Sequence, residues 1–179
     1  VTGNTISNWS VCSGPTALAP PNRVFAIADD NFDTTTSNIT NNTVSSITIN
    51  NSSIKFAGYG NIYSYGPFTA TPIVHKTNFT GNTFSSITSS SPVAGITNTT
   101  PLLIVHPLGT YPNGHTFLSS KNKIFKVSSD SAIAAGYISD YCLQFTMAND
   151  TINGIASGKS LAFGFINSYS SISGVNWSS

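Results

Sequence analysis

Residues 38–48 read NITNNTVSSIT, and a close copy of this stretch, NFTGNTFSSIT, occupies residues 78–88. The two segments match at most positions, and their apolar positions coincide. A shorter copy, TGNTIS, lies at residues 2–7. Self-similarity at a regular spacing indicates a repeated supersecondary unit. The repeat favours either a duplicated hairpin or successive coils of a parallel β-helix, and the sequence leaves both open.

Charged residues are rare in this chain. Asp, Glu, Lys and Arg make up 7% of it, and Glu is absent, whereas about 25% is usual for soluble proteins. The surface must therefore consist largely of Ser, Thr and Asn, which hydrate without ionising and tolerate acid. A formal charge of +1 provides no basic stripe for nucleic acid, so we expect no nucleic-acid partner.

The residue types predict an all-β protein of one main domain. Helix formers such as Glu, Gln and Met are absent or rare, while Thr, Ile, Val, Phe and Tyr, which prefer strands, are common. We predict one long half-buried strand at residues 137–148, and at residues 161–166 a strand covered on both faces. No run of 18 apolar residues occurs, so we predict no membrane insertion.

Acceptor motifs for N-glycosylation, Asn-x-Ser/Thr, are dense and predict an exported chain. A background rich in Asn, Ser and Thr produces some of them by chance. The N-terminal sequence VTGNTISNWSV resembles a mature end left by signal-peptide cleavage, which predicts an extracellular, cell-surface location. The nine acceptor asparagines are Asn8, Asn38, Asn41, Asn50, Asn51, Asn78, Asn98, Asn149 and Asn176.

The chain has two cysteines, Cys12 and Cys142, each in a strand-like setting. In an oxidising compartment two cysteines allow one disulfide bond, which would close a long loop and stabilise the fold by roughly 4–5 kcal/mol in the chain-entropy model. Two buried free thiols are the alternative. We predict the disulfide, because it agrees with export.

Residues that carry catalysis or bind metals are few. The chain has three His, and no G-x-S-x-G elbow or phosphate-binding loop, so we predict neither an enzyme nor a bound cofactor or metal. Residues 29–33 (DDNFD) fit a calcium site or an Asp/Asn turn, and we favour the turn. Residues 58–68 (GYGNIYSYGPF) present aromatic rings that fit either a sugar- or subunit-binding surface or one edge of the core.

The N-terminus VTGNTISNWSV, the nine acceptor motifs, the cysteine pair and the uncharged surface together resemble the glycosylated thread pilins of thermoacidophilic archaea. Those subunits are similar in fold to bacterial chaperone–usher pilins. The resemblance implies an immunoglobulin-like β-sandwich at residues 12–179 and an N-terminal donor strand at residues 1–11, which completes the sheet of a neighbouring copy. The apolar contacts of this strand would come from Val1, Ile6, Trp9 and Val11.

The expected function is that of a structural subunit of an extracellular glycosylated filament, or pilus, serving adhesion or biofilm formation. Its partners would be identical subunits, joined head to tail by donor-strand complementation, and covalent N-glycans. The repeat and the aromatic residues leave a second class open, a secreted carbohydrate-binding or polysaccharide-degrading β-module. A viral or surface-layer coat subunit is a third.

Overall fold

The computed structural model describes residues 1–11, 22–29, 36–50, 54–61, 75–89, 102–106, 115–130, 133–140 and 144–168. These residues form strands and turns and contain no helix, so none of them forms a helix able to cross a bilayer. The all-β prediction is confirmed. The strands are β1 (Thr5–Val11), β2 (Asn22–Asp29), β3 (Thr36–Thr40), β4 (Thr43–Ile49), β5 (Ile54–Asn61), β6 (His75–Thr80), β7 (Thr83–Ser89), β8 (Leu102–His106), β9 (His115–Ser120), β10 (Lys123–Ser129), β11 (Ala134–Asp140), β12 (Gln144–Ala148), β13 (Thr151–Ser157) and β14 (Ala162–Ser168).

These strands form three sheets, which the chain visits in turn. Sheet 1 has the order β1-β4-β7-β10-β13, sheet 2 the order β14-β11-β8-β5-β2, and sheet 3 the order β12-β9-β6-β3. Each strand pairs in parallel with the strand three places further along the chain. We call one passage through the three sheets a coil. An immunoglobulin-like sandwich consists of antiparallel sheets and is not confirmed.

The repeat in the sequence corresponds to stacked coils. Val44 lies opposite Phe84, and Ile47 lies opposite Ile87, in neighbouring strands of sheet 1. The N-terminal copy continues the row, since Ile6 lies opposite Val44. The register is strongly specified because a slip of one residue would turn the inward side chains to the solvent face.

The core consists of rows of apolar side chains that run from coil to coil inside the three sheets. Val44, Phe84 and Ile124 are fully buried neighbours in sheet 1. Aromatic rings from sheet 3 pack on each other, with centroids 5.2 Å apart for Phe117 and Phe145. Burying each such side chain favours folding by about 1.5–3 kcal/mol. The core thus extends along the stack and gives every inner coil two apolar neighbours.

Two strand predictions are wrong. Within residues 137–148, the described residues belong to two strands in different sheets, β11 and β12. Tyr137, Phe145 and Met147 are buried, but alternation alone does not show where the chain turns a corner.

Residues 161–166 were expected to be covered on both faces. One face of β14 is open to solvent instead, because Ala162 and Gly164 are exposed while Phe163 and Phe165 are half-buried. Leu161 beside β14 is 59% exposed.

Candidate functional site

The turn that leads into sheet 1 has the same construction in every coil. Two residues make it: one in the left-handed region, with φ between 55° and 69°, and then an inward-facing amide or carboxyl residue. Left-handed backbone suits Gly and Asn, and it reverses the chain sharply enough to aim the next side chain inward. The inward-facing residues, which we call the ladder, are Asn4, Asn42, Asn82, Asn122 and Asp150.

The amides of the ladder bond to each other across the coils, always in the same direction. The backbone N–H and the Nδ2 of Asn42 both donate to Oδ1 of Asn82, at 2.9 Å each. Asn82 donates in the same way to Oδ1 of Asn122, at 2.8 and 3.0 Å. Asn4 starts the series by donating twice to Oδ1 of Asn42. Each amide oxygen therefore accepts from the coil before it.

The three central amides are almost completely buried: Asn42 is 1% exposed, and Asn82 and Asn122 are 0% exposed. A buried amide without partners is destabilising by roughly 1–3 kcal/mol on the scale of protein mutations. Here the second bond of each Nδ2 reaches a backbone carbonyl, as from Asn82 to Ile39 at 2.9 Å. The ladder is therefore a satisfied polar network that holds coils in one register.

Asp150 takes the ladder position in the last turn, where it gathers a small polar cluster. Its Oδ1 accepts from the backbone N–H of Asn122 at 2.7 Å and from Nδ2 of Asn122 at 3.0 Å. Its Oδ2 accepts from the hydroxyls of Ser119 and Tyr137. Ser119 and Tyr137 also bond to each other at 3.0 Å. Four donors, three from the fourth coil and the Ser119 hydroxyl from the third, thus converge on one carboxyl group of the fifth.

The cluster perturbs both of its acidic groups. Burial raises the pKa of the Asp150 carboxyl, and hydrogen bonds from Ser119, Asn122 and Tyr137 offset part of that rise. The pKa of the Tyr137 hydroxyl lies well above its ordinary value, chiefly because of burial and secondly because of the negative charge of Asp150. Tyr137 therefore stays neutral and serves as a hydrogen-bond donor.

Comparisons with protein-family models, curated proteins and solved structures find no match.

The segment predicted as a donor strand forms β1, an edge strand of its own sheet 1. Ile6 is partly buried and packs on the core, while Val1 is 57% and Trp9 37% exposed. The Trp9 ring contacts Phe56 edge-on, with centroids 6.4 Å apart. The side chain of Val11 lies outside the described residues. Val1, Ile6 and Trp9 are thus at one end of the stack, where their apolar surface is only partly covered.

Six of the nine predicted glycan acceptors fall within the described residues. Asn8, Asn38, Asn41, Asn50 and Asn149 are exposed, and Asn78 is half-buried. The ladder asparagines carry an apolar residue two places on, such as Val44 after Asn42, so they are not acceptor motifs. The acceptor motif thus excludes the buried ladder asparagines, although two acceptor asparagines also link coils, since Nδ2 of Asn78 donates to Oδ1 of Asn38 at 2.9 Å. Asn51, Asn98 and Asn176 lie outside the described residues.

Cys12 and Cys142 also lie outside the described residues, so the disulfide stays a prediction. Of the proposed calcium segment, residues 29–33, the structure describes Asp29, whose Oδ2 accepts from the Tyr59 hydroxyl at 3.3 Å. No group of three or more His, Cys, Asp or Glu side chains comes together within the described ranges. In the aromatic segment at residues 58–68, Tyr59 is fully buried and belongs to the core.

All five ladder turns share a sequence pattern, although only the first three copies are similar enough to stand out as repeats. The residues S-K-N-K-I at 120–124 and A-N-D-T-I at 148–152 repeat the turn pattern of T-N-N-T-V at 40–44. Each turn has an amide or carboxyl residue, which faces inward. Two places later, in the strand that follows, each has an apolar residue. These two positions occur in all five turns, and they also occur elsewhere in the chain, as in Asn22-Arg23-Val24.

Proposed function

We propose that this chain is a structural subunit of an extracellular, N-glycosylated filament in which copies stack head to tail. The observation that carries the proposal is the composition of the outer strands of sheet 1. Among the described residues, β1 and β13 each have a neighbouring strand on one side. Their sequences, TISNWSV and TINGIAS, contain no charge and no proline, the usual devices that prevent an edge strand from pairing.

The two edges are complementary, because β1 and β13 are opposite edges of one parallel sheet. Suppose that β1 of one copy continues sheet 1 beyond β13 of another copy in the register that the strands of this sheet already share. Thr5 then lies beside Thr151, Ile6 beside Ile152 and Trp9 beside Ile155. A contact between two different edges is heterologous, and because it extends the sheet in the direction in which the strands already stack, it generates an open filament and not a closed ring. The partly exposed Val1 and Trp9 would be covered at that junction.

This arrangement retains residues 1–11 as the joining strand but changes how they act. The strand pairs with β4 of its own copy and adds its free edge to the neighbour, so it does not leave its subunit. The strand topology supports a parallel β-helix over the immunoglobulin-like sandwich. The proposed filament is a non-enzymatic surface structure for adhesion or biofilm formation, with glycans on exposed asparagines such as Asn41 and Asn149.

The test replaces Trp9, whose partner Ile47 in β4 faces the core. Trp9→Lys places an inward-pointing charge on the edge strand, which blocks strand addition, while Trp9→Leu keeps an apolar side chain there. We expect wild type and Trp9→Leu to form filaments in negative-stain images and to sediment, and Trp9→Lys to remain monomeric with unchanged circular dichroism. A wild-type protein that stays monomeric, or a Trp9→Lys protein that assembles normally, would contradict the proposal.

A second function, binding of an extracellular polysaccharide, is favoured by the outer face of sheet 1. Ser10, Thr48, Thr88 and Ser128 form a row of hydroxyl side chains across four neighbouring strands, at the inter-strand spacing of about 4.8 Å. Such a row offers repeated hydrogen bonds to a regular polymer. A monomeric wild-type protein that co-sediments with an insoluble polysaccharide, and loses this property in Thr48→Lys, would favour this function over the filament.

A further inference from the structure

The ladder follows a rule that Asp150 cannot obey. Each buried asparagine also donates from its Nδ2 to a backbone carbonyl in the strand that precedes the previous ladder turn. Asn82 donates to the carbonyl of Ile39 at 2.9 Å, and Asn122 donates to the carbonyl of Phe79 at 2.8 Å. An ionised carboxyl group has no proton to donate. Ile39, Phe79 and Ser119 are partners in neighbouring strands of sheet 3. Ser119 therefore stands to Asp150 as Ile39 stands to Asn82 and as Phe79 stands to Asn122. The hydroxyl of Ser119 supplies the proton that the carboxylate lacks.

We propose that the Asp150 carboxyl is a protonatable latch that fastens the fifth coil to the fourth and holds most tightly when it carries its proton. The neutral carboxyl group is close in shape to an asparagine amide and has one donor and one acceptor oxygen. Its Oδ1 continues to accept from Asn122. Its O–H donates to the Ser119 hydroxyl, which rotates to donate to the Tyr137 hydroxyl, and Tyr137 continues to donate to Oδ2. The protonated residue thereby restores the pattern of the inner coils.

Among the residues that the structure describes, no positive charge acts on the Asp150 carboxyl to favour its ionised form. The groups that act on its carboxyl are the hydroxyls of Ser119 and Tyr137 and the amides of Asn122, all of them neutral. Lys121 and Lys123 flank Asn122 in the neighbouring turn, but their side chains are exposed. On its own segment, the flanking residues Asn149 and Thr151 are uncharged. Burial therefore acts on the carboxylate without a compensating cation.

The sign of the pH effect follows from the direction of the shift. Because the pKa of Asp150 is raised in the folded chain, the folded form binds a proton that the unfolded form has already released. The stabilisation is complete below the unfolded pKa, about 3.9, and it is lost as pH rises through the folded pKa. For each pH unit by which the folded pKa exceeds the unfolded pKa, the folding equilibrium at neutral pH is about 10-fold weaker than in acid.

The experiment measures the Asp150 carboxyl carbon shift by NMR and the urea unfolding midpoint from about pH 3 to about pH 8. The variants are Asp150→Asn, which mimics the protonated residue permanently, and Asp130→Asn, which changes an exposed carboxyl group. We expect a raised pKa for Asp150, a midpoint that falls with pH in wild type and Asp130→Asn, and a shallower fall in Asp150→Asn. An ordinary or lowered pKa, or equal slopes in all three proteins, would overturn the latch.

Hydrogen exchange locates the effect. Protection factors of β13 amides, which the latch holds, should decrease from acid to neutral pH relative to those of β4 amides in the same sample, and this difference should vanish in Asp150→Asn. A uniform change across β4 and β13 would mean that Asp150 affects the whole stack and does not act as a local latch.

Discussion

Asn82 and Asp150 occupy equivalent positions in the ladder, two coils apart, yet their surroundings differ. Asn82 is fully buried between two other amides and bonds to carbonyl and amide oxygens. Asp150 is half-buried and faces hydroxyl groups instead. A carboxyl group thus takes the ladder position that is only half-buried and that receives hydroxyl donors. The inner and last coils are therefore built alike but carry different residues at this position.

The largest expected effect comes from placing the carboxylate in the inner coil. Asn82→Asp would turn an oxygen toward the Ile39 carbonyl and the Asn122 Oδ1, which now accept from Nδ2. We expect a loss of about 3–5 kcal/mol in the free energy of unfolding at neutral pH, because the charge is buried without a partner. The loss should shrink in acid, where the group is protonated. Urea unfolding at both pH values measures it.

The exposed neighbour Asn41 provides the control for this change. Asn41→Asp also replaces an amide by a carboxyl group, but in a turn residue that faces solvent. We expect it to change the free energy of unfolding by less than about 0.5 kcal/mol. Equal losses in Asn41→Asp and Asn82→Asp would show that the ladder does not distinguish buried from exposed amides.

A second pair of variants compares the packing of the two regions with one residue type. Ile124 is fully buried, and Ile152, its partner in the next strand of sheet 1, is half-buried. We expect Ile124→Ala to lower the free energy of unfolding by about 2–5 kcal/mol. Ile152→Ala should cost less, because water already reaches part of its side chain. Thermal and urea unfolding of both variants measure the difference, and a larger cost at Ile152 would contradict the described burial.

The smallest expected effect concerns the hydroxyl that compensates for Asp150. Ser119→Ala removes a donor to the carboxylate, so the pKa of Asp150 should rise further and the fall in stability with pH should become steeper. At neutral pH we expect a loss of about 1–2 kcal/mol in the free energy of unfolding. NMR titration of Asp150 in this variant measures the pKa directly. A lowered pKa would show that Ser119 does not donate to the carboxylate.

Residue chemistry and repetition allow part of this structure to be predicted. The abundance of strand formers gives the all-β class, and the copies at residues 38–48 and 78–88 align in register as neighbouring coils. The later copies are harder to find because Lys121 and Lys123 replace the Asn/Gly and Thr of the earlier turns. The spacing also changes: ladder residues Asn82 and Asn122 are 40 apart in number, whereas Asn122 and Asp150 are 28 apart.

The polar cluster around Asp150 was not predictable from sequence patterns. Ser119 is one serine among many, and Tyr137 read only as an apolar residue of a half-buried strand. Their hydroxyls meet Asp150 because β9, β11 and the turn after β12 converge at one level of the stack. Contacts between residues in different sheets depend on where the chain turns its corners, and alternation of apolar residues does not record those corners.

The one-way direction of the ladder also gives the stack an electrical polarity. The side-chain amides of Asn4, Asn42, Asn82 and Asn122 all point their donor groups toward the next coil, so their dipoles add as peptide dipoles do in a helix. The positive end of this row faces Asp150, which occupies the place that a carboxylate takes at a helix N-terminus. An acid at position 4 would meet the negative end instead. The row therefore favours an acidic residue at one end only, where it offsets part of the rise in pKa that burial causes.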